Sequence, residues 1–371
     1  MNLIVSNYSN GDSKTQRALI SGPNREALVS NDFPIPDILP DHVLVKTTHV
    51  ALNPADWKNL GSDKTIPGTL GGCDFSGIVE EVGPTVVKKF NKGDKVMGFN
   101  LGFNKMKPTK GAFAEYVISK GDLLLRVPDT LRMDQAASMP MGLYTVAQGL
   151  YQGILQMALP NEPVKNAVPV LIYGGSSATG ALAIQFAKLS GYTVLTTCSP
   201  QNFSYVKELG ADVLFDSHEE GVGKKIREYT NDNLHLVYDT ISIPETAAVC
   251  ADALSSKPGG KYMATQFPQM ERKDVESSAA VVYTMINEEF RVGEFSFPPK
   301  PEDIEYGIRF GDIAEKLIAE GKIKAHRVLT NEDGGFAAIP DGWTLMRENK
   351  GFVMALFKFE IKGGFDVVEW L

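Results

Sequence analysis

The run Gly174-Gly175-Ser176-Ser177-Ala178-Thr179-Gly180 carries the most definite chemistry in this sequence. The apolar, strand-like Val170-Leu171-Ile172-Tyr173 precedes it, and a helical pattern starts at Ala181. Strand, glycine turn and helix together place an anion on unpaired backbone N–H groups at the positive end of a helix dipole. Aligned on the last glycine, the G-x-G-x-x-G pattern falls on Gly175, Ser177 and Gly180. Ser177 replaces the middle glycine, where the backbone nears a pyrophosphate, and suits it if its hydroxyl donates to a phosphate oxygen. The ligand this implies is a nicotinamide dinucleotide, held by Gly175, Ser176, Ser177, Ala178, Thr179 and Gly180.

An absence then selects the dinucleotide. A site for NAD usually places Asp or Glu ~20 residues onward, on the adenosine ribose. From Ala181 to Lys207 there is no acidic residue. The second strand ends in Cys198-Ser199-Pro200-Gln201-Asn202 instead. Ser199, Gln201 and Asn202 suit a 2′-phosphate that a carboxylate would repel, and Lys188, Lys207 and Tyr192 could add to the site. NADPH is therefore expected over NADH, the alternative being an ordinary strand-end turn. Thr265, at the end of the strand Lys261–Thr265, joins the cofactor set.

These residues need a scaffold. Short apolar strands at Val168–Tyr173, Thr193–Thr197, Val213–Asp216, Leu236–Asp239 and Lys261–Thr265 alternate with helical stretches, which implies α/β architecture with a doubly wound parallel sheet. Residues before about 130 read as turn-rich strands, including Val43–Thr48, Ser76–Gly83 and Phe113–Val117. A long helix is expected from Gln135, capped by Asp134, to Gln156, and another over Ile304–Glu320. The chain closes with an apolar strand, Phe352–Phe357. With 371 residues, two domains are the natural division, the first completed by both ends of the chain. The boundaries expected are 1–150 and 301–371 for the strand-rich catalytic domain and 151–300 for the cofactor domain.

Composition narrows the partners. A net charge of −8 without a basic stripe argues against nucleic acid, and no apolar run reaches the ~20 residues of a membrane span. No signal peptide is evident around Leu3-Ile4-Val5, and three dispersed cysteines, Cys73, Cys198 and Cys250, argue for a reducing compartment. A cytoplasmic protein is expected, and the triplets Asn7-Tyr8-Ser9 and Asn202-Phe203-Ser204 are then chance glycosylation matches.

Further pieces stand in a familiar order: Asn53-Pro54-Ala55-Asp56, Gly72-Cys73-Asp74-Phe75-Ser76-Gly77, Gly93-Asp94-Lys95-Val96, Gly111-Ala112-Phe113-Ala114-Glu115-Tyr116 and Leu209-Gly210-Ala211-Asp212. Over nearly its whole length the chain resembles the medium-chain dehydrogenase/reductase superfamily. The resemblance implies a Rossmann-type sheet plus a β-rich GroES-like catalytic domain. Zinc members carry a Cys ligand near the position of Asn53 and Gly-His-Glu where this chain has Gly72-Cys73-Asp74, so no metal is expected. The Tyr-Gly-Gly-Ser-Ser-Ala-Thr turn with Cys198-Ser199-Pro200-Gln201-Asn202-Phe203 is similar to fungal trans-acting enoyl reductases, which serve polyketide synthases whose own reductase domain is inactive. The tail Phe359–Leu371 has no counterpart in that group.

That similarity implies hydride transfer to the β-carbon of an α,β-unsaturated thioester carried by the acyl carrier domain of a polyketide synthase. The developing enolate needs a donor and the α-carbon a proton. Lys58 and Thr145 are the catalytic candidates. Lys58 could equally be a solvated surface lysine, and Thr145 a helical threonine bonded to its own backbone. Asn53 is expected to position substrate or cofactor, although Asn53-Pro54 also reads as a plain turn. Tyr144, Tyr283, Met285 and Asn287 are the substrate-lining candidates, and their segments also fit a core element. The prolines of Phe295-Ser296-Phe297-Pro298-Pro299-Lys300-Pro301 are expected to blunt a pairing edge and leave a monomer. A general quinone or enone reductase and a catalytically silent cofactor-binding partner of a synthase are the competing readings.

Overall fold

A computed structural model describes residues 14–62, 65–267, 270–292, 295–331, 334–348 and 354–358. The β-branched, apolar strands of the middle region assemble into one six-stranded sheet whose neighbours all pair in parallel. Its spatial order is Val213–Asp216, Thr193–Cys198, Pro169–Tyr173, Leu236–Asp239, Gly260–Ala264 and Val275–Ala279. The chain therefore starts at an inner strand, winds outward one way, then returns and winds outward the other way. The reversal lies between Pro169–Tyr173 and Leu236–Asp239, and ligands of such sheets bind beyond the carboxyl ends of the strands at that point.

The second sheet has seven strands and draws on both ends of the chain. His42–Ala51 lies at its centre, paired with Asp74–Val82, Tyr116–Lys120 and Met354–Lys358. The α/β class, the doubly wound parallel sheet and a separate strand-rich unit agree with the sequence reading; the second sheet is antiparallel apart from the parallel pair Val328–Asn331 and Met354–Lys358. The Asp74–Val82 strand begins opposite Ala51, directly before the turn at Asn53. That register brings two distant segments to one spot.

The expected long helix over 135–156 is broken into three pieces. Met133–Ala137 and Pro140–Val146 are α-helical, and Ala147–Gln152 is a π-helical turn. Pro140 lacks an N–H and restricts the residue before it, so one helix cannot run through. Asp134 does not cap the first piece; it sits in the first turn, after the N-cap Arg132, and accepts the Gln135 N–H. The helix after the glycine turn begins at Ala178, three residues earlier than expected. The edge strand Val275–Ala279 holds no proline; the Pro298-Pro299 run follows the Phe290–Val292/Phe295–Phe297 hairpin. The proline argument for a blunted sheet edge therefore fails. Residues 352–353 of the closing strand, the tail from Phe359 and the segment around Asn7 lie outside the described residues.

One apolar core joins the two units. Tyr151, Phe186 and Phe310 pack there edge-on or tilted, at 5.2–6.5 Å between ring centres. The helix Pro301–Ala319 supplies Phe310, while Pro140–Val146 supplies Leu143 and Tyr144. No helix among the described residues is long and apolar enough to cross a membrane.

Candidate active site

The glycine turn is built by close packing. Gly174 has φ +78°, which a side chain would strain, and its N–H donates to Thr197 Oγ1 at 3.1 Å. A Cβ on Gly180 would overlap the Gly174 carbonyl oxygen and lie 2.9 Å from Gly175 Cα. Only glycine lets the helix sit this close to the strand. Ser177 caps the helix, its Oγ accepting the Gly180 N–H at 3.0 Å and meeting Thr240 Oγ1 at 2.9 Å. The hydroxyl expected to meet a phosphate is thus engaged within the protein. The N–H groups of Ala178 and Thr179, in the first helical turn, have no intrahelical acceptor. Ser176 is buried beside them. A pyrophosphate fits this cradle by its chemistry.

The sheet edge opposite the turn is a polar network that sequence reasoning missed. Asp239, fully buried, accepts the N–H groups of Ile241 and Ser242 at 2.9 Å, Thr246 Oγ1 at 2.6 Å and the Tyr262 hydroxyl at 2.9 Å. Four donors satisfy a carboxylate that burial would otherwise make costly. This locks the loop carrying Thr240 and Ser242. Ser242 Oγ accepts the Thr265 N–H at 2.8 Å, so Thr265 faces the same crevice. Polar residues directly after a strand, as in Asp239-Thr240, were the available signal.

In the other unit, the helix Pro54–Leu60 begins at Asn53 and ends in a turn at Gly61. It carries Lys58, whose ammonium donates to Gln266 Oε1 at 2.8 Å across the cleft. Gln266 in turn donates to the Ile241 carbonyl at 3.2 Å. Lys58 is an exposed residue, yet partial desolvation lowers its pKa. Beyond Gln266 an open groove of about 1240 Å³ runs past Ile243, Pro244 and Phe267 and the charged Arg227, Asp252 and Arg272.

Beneath Asn53 lies a buried cluster. Asn53 Nδ2 donates to Asp74 Oδ2 at 2.9 Å, and the Asn53 N–H to Asp56 Oδ2 at 2.7 Å. Asp74 Oδ1 also accepts the Met141 N–H at 2.8 Å. Cys73 Sγ and the Tyr283 hydroxyl meet at 3.3 Å. Burial raises the Asp56 carboxyl to about 7 and the Asp74 carboxyl to about 8, and pushes the Cys73 thiol and the Tyr283 hydroxyl upward. The segment bearing Tyr283 is tied across the cleft by Glu288, which accepts from Lys110 at 2.5 Å and lies 3.4 Å from Lys120.

Comparison with known proteins places this architecture. Residues 39–129 match the alcohol dehydrogenase GroES-like domain, and residues 178–309 match the zinc-binding dehydrogenase domain. The trans-enoyl reductase TOXD of Cochliobolus carbonum is 46% identical over 297 residues, covering 80% of this chain and 99% of that protein. The trans-enoyl reductase resD of Aspergillus sclerotiorum is 39% identical over 349 residues, covering 90% and 97%. The CurK enoyl reductase crystal structure superposes with a TM-score of 0.72 at 17% identity, covering 93% of this chain and 99% of its own. The chain is a medium-chain dehydrogenase/reductase of the fungal trans-enoyl reductase family.

For a family named partly for zinc, the donor set here is unsuitable. Asn53 offers a neutral amide already bonded to Asp74, and Cys73 is a buried thiol with a raised pKa. No group of three or more His, Cys, Asp or Glu that could hold a metal occurs among the described residues. The chemistry of Asn53, Cys73 and Asp74 as placed here does not suit zinc.

The remaining candidate residues separate into groups. Thr145 Oγ1 donates to the Met141 carbonyl at 2.6 Å, the back-bonded state of a helical threonine, with 9% of its surface exposed. Tyr144 belongs to the core: it is 1% exposed, and its hydroxyl donates to the Leu123 carbonyl. Met285 is likewise fully buried, packed at Gly307. Neither lines the cleft, because long apolar residues at helical spacing served the core. Asn287 has φ +55° and a buried Oδ1 without a hydrogen-bond partner in the structure. At the adenosine end, Ser199, Gln201 and Asn202 follow the carboxyl end of Thr193–Cys198 in a single 3-10 turn. Lys188 and Tyr192 lie before that strand, at its opposite end. Lys188 is paired with Asp212 at 2.6 Å, and the Tyr192 hydroxyl accepts the Ala158 N–H. Both are removed from the Ser199–Asn202 turn, and Lys207 closes the helix that leads away from it. One carboxylate does reach this edge from the neighbouring strand: Asp216 is paired in register with Cys198 and accepts the His218 N–H at 2.9 Å.

Proposed function

We propose that this protein is an NADPH-dependent, zinc-independent enoyl reductase that reduces an α,β-unsaturated thioester on the acyl carrier domain of a polyketide synthase. The observation that carries the reading is the Lys58–Gln266 contact, a cation held at a cleft beside the carboxyl edge of a dinucleotide-binding sheet. A bound nicotinamide would supply hydride to the β-carbon. Lys58, its pKa lowered by desolvation, donates to the developing enolate oxygen or protonates the α-carbon. Thr145 assists if its hydroxyl turns from its own backbone. Asn53, Tyr283 and Asn287 border the substrate.

Gly175, Ser176, Ser177, Ala178, Thr179, Gly180 and Thr265 hold the pyrophosphate and the nicotinamide side. Ser199, Gln201 and Asn202 take the 2′-phosphate, supported by the acid-free stretch before them and by the engagement of Asp216 with His218. Three free, buried cysteines agree with a cytoplasmic enzyme. A monomer is supported by the exposed Glu276, Ser277 and Ser278 on the sheet's edge strand, where a charge discourages pairing. The catalytic domain on this reading comprises residues 1–150 and 301–371, and the cofactor domain 151–300.

The test is steady NADPH consumption with an enoyl-pantetheine thioester and little with simple quinones. Turnover of quinones alone would replace this reading with a general quinone reductase. Tight NADPH binding without turnover of either would make the protein a silent synthase partner. A stable dimer in sedimentation at micromolar concentration would overturn the monomer.

A further inference from the structure

Two short helices bring candidate residues to the cleft, and one carboxylate holds both. The helix Pro54–Leu60 carries Lys58 and starts at Asn53; the helix Pro140–Val146 carries Thr145 and starts beside Met141. Asp74 accepts Asn53 Nδ2 on Oδ2 and the Met141 N–H on Oδ1. It is fully buried, and its pairing opposite Ala51 fixes it beneath the first helix start. Both facing groups are donors, one to each carboxyl oxygen, and no ion pair to Asp74 occurs among the described residues. An amide at this place could accept from only one of them.

We propose that Asp74 is a positioning residue that sets the separation of the Lys58 helix from the Thr145 helix. Its part in catalysis rests on the enoyl reductase reading above; the clamp between the two helices does not. Its effect passes through Asn53 and Met141, and it touches neither substrate nor cofactor. A displacement of about 1 Å in a reacting group can cost ~100-fold in rate, so a clamp at the root of both helices has leverage on turnover.

The experiment uses the full chain with NADPH and an enoyl-pantetheine thioester. Asp74→Asn keeps one acceptor and Asp74→Ala keeps none. The expected result is a kcat lowered about 10- to 100-fold, more in the alanine variant, with KM for NADPH within about twofold because the glycine turn is on the other sheet. Hydrogen exchange at the Met141 amide should quicken in Asp74→Ala. The exchange of partners, Asn53→Asp with Asp74→Asn, keeps both hydrogen bonds and should return Met141 to wild-type protection. An active wild type whose folded Asp74→Ala variant keeps its kcat overturns the proposal. So does a loss of kcat in Asp74→Ala that tracks a loss of Tm while Met141 stays protected, since Asp74 would then be a core group only. If Asp74→Ala does not fold, Asp74→Asn and the exchanged pair carry the test. A wild type inactive on the thioester defeats the functional reading instead, and Met141 exchange still decides the clamp.

Discussion

The carboxyl edge of the parallel sheet and the cluster beneath Asn53 are both buried and polar, but they are stabilised differently. At the sheet edge, Asp239 has four donors, and Ser177, Thr240, Ser242 and Thr265 bond to one another or to nearby backbone. Beneath Asn53, Asp56 and Asp74 share one small volume, and burial raises both carboxyls. The first region is organised by main chain and short polar side chains to hold a ligand still. The second carries stored electrostatic cost at the base of the elements that approach the substrate. On the function proposed above, binding and chemistry fall to different units, and mutations should separate them.

The largest separation is expected at Lys58. Lys58→Ala should lower kcat on an enoyl thioester by about 10² to 10⁴ if it serves as proton donor, while NADPH affinity, read by fluorescence titration, stays within about twofold. An unchanged kcat would remove Lys58 from the chemistry and leave its contact with Gln266 as a tie between the units. The converse change is Gly180→Val. Its side chain would collide with Gly174 and Gly175, and overpacking of ~1–3 kcal/mol or more falls on the turn itself. NADPH affinity should drop roughly 10- to 100-fold. Normal binding would mean that the helix can withdraw from the strand.

What the sequence disclosed follows the same division. The glycine turn was legible because strand, turn and helix are consecutive. Thr240, the partner of Ser177, escaped notice because 63 residues separate them. Lys58 and Gln266 are 208 apart, and no local pattern foretells that contact. Tyr144 and Met285 are substrate candidates through the family resemblance alone; periodicity fits a core face equally well, and both are buried in the core. The long helix failed at Pro140, where the backbone restriction was visible but the helical pattern on either side outweighed it. Asp74 drew attention only as a metal candidate, since its two partners are brought by sheet register.

Cofactor choice gives a smaller expected effect. Ser199→Ala with Asn202→Ala should lower the preference for NADPH over NADH by about tenfold, the loss of one or two hydrogen bonds to a charged group. Equal affinities in the wild type would refute the phosphate-site reading. Asp216→Ala should not shift the preference toward NADH, because removing a carboxylate takes nothing from a 2′-phosphate.

The smallest effect bears most directly on the contrast. Asp56 is fully buried, and its carboxyl is raised from the ordinary 3.8 to about 7. Between those values the folded protein holds a proton that the unfolded chain has released. Its contribution to stability therefore falls as pH rises from about 4 through about 7, then levels. Asn at this position can still accept the Asn53 N–H but never ionises. The Tm advantage of Asp56→Asn over wild type should grow by a few °C across that window and stay flat above about pH 8. His42, whose pKa burial lowers to about 4, acts in the opposite sense, losing stability as pH falls through 6.5 toward 4. It is present in both proteins and cancels in the difference. A difference that stays constant with pH would show that burial does not raise the Asp56 carboxyl, and the contrast between the two regions would fail.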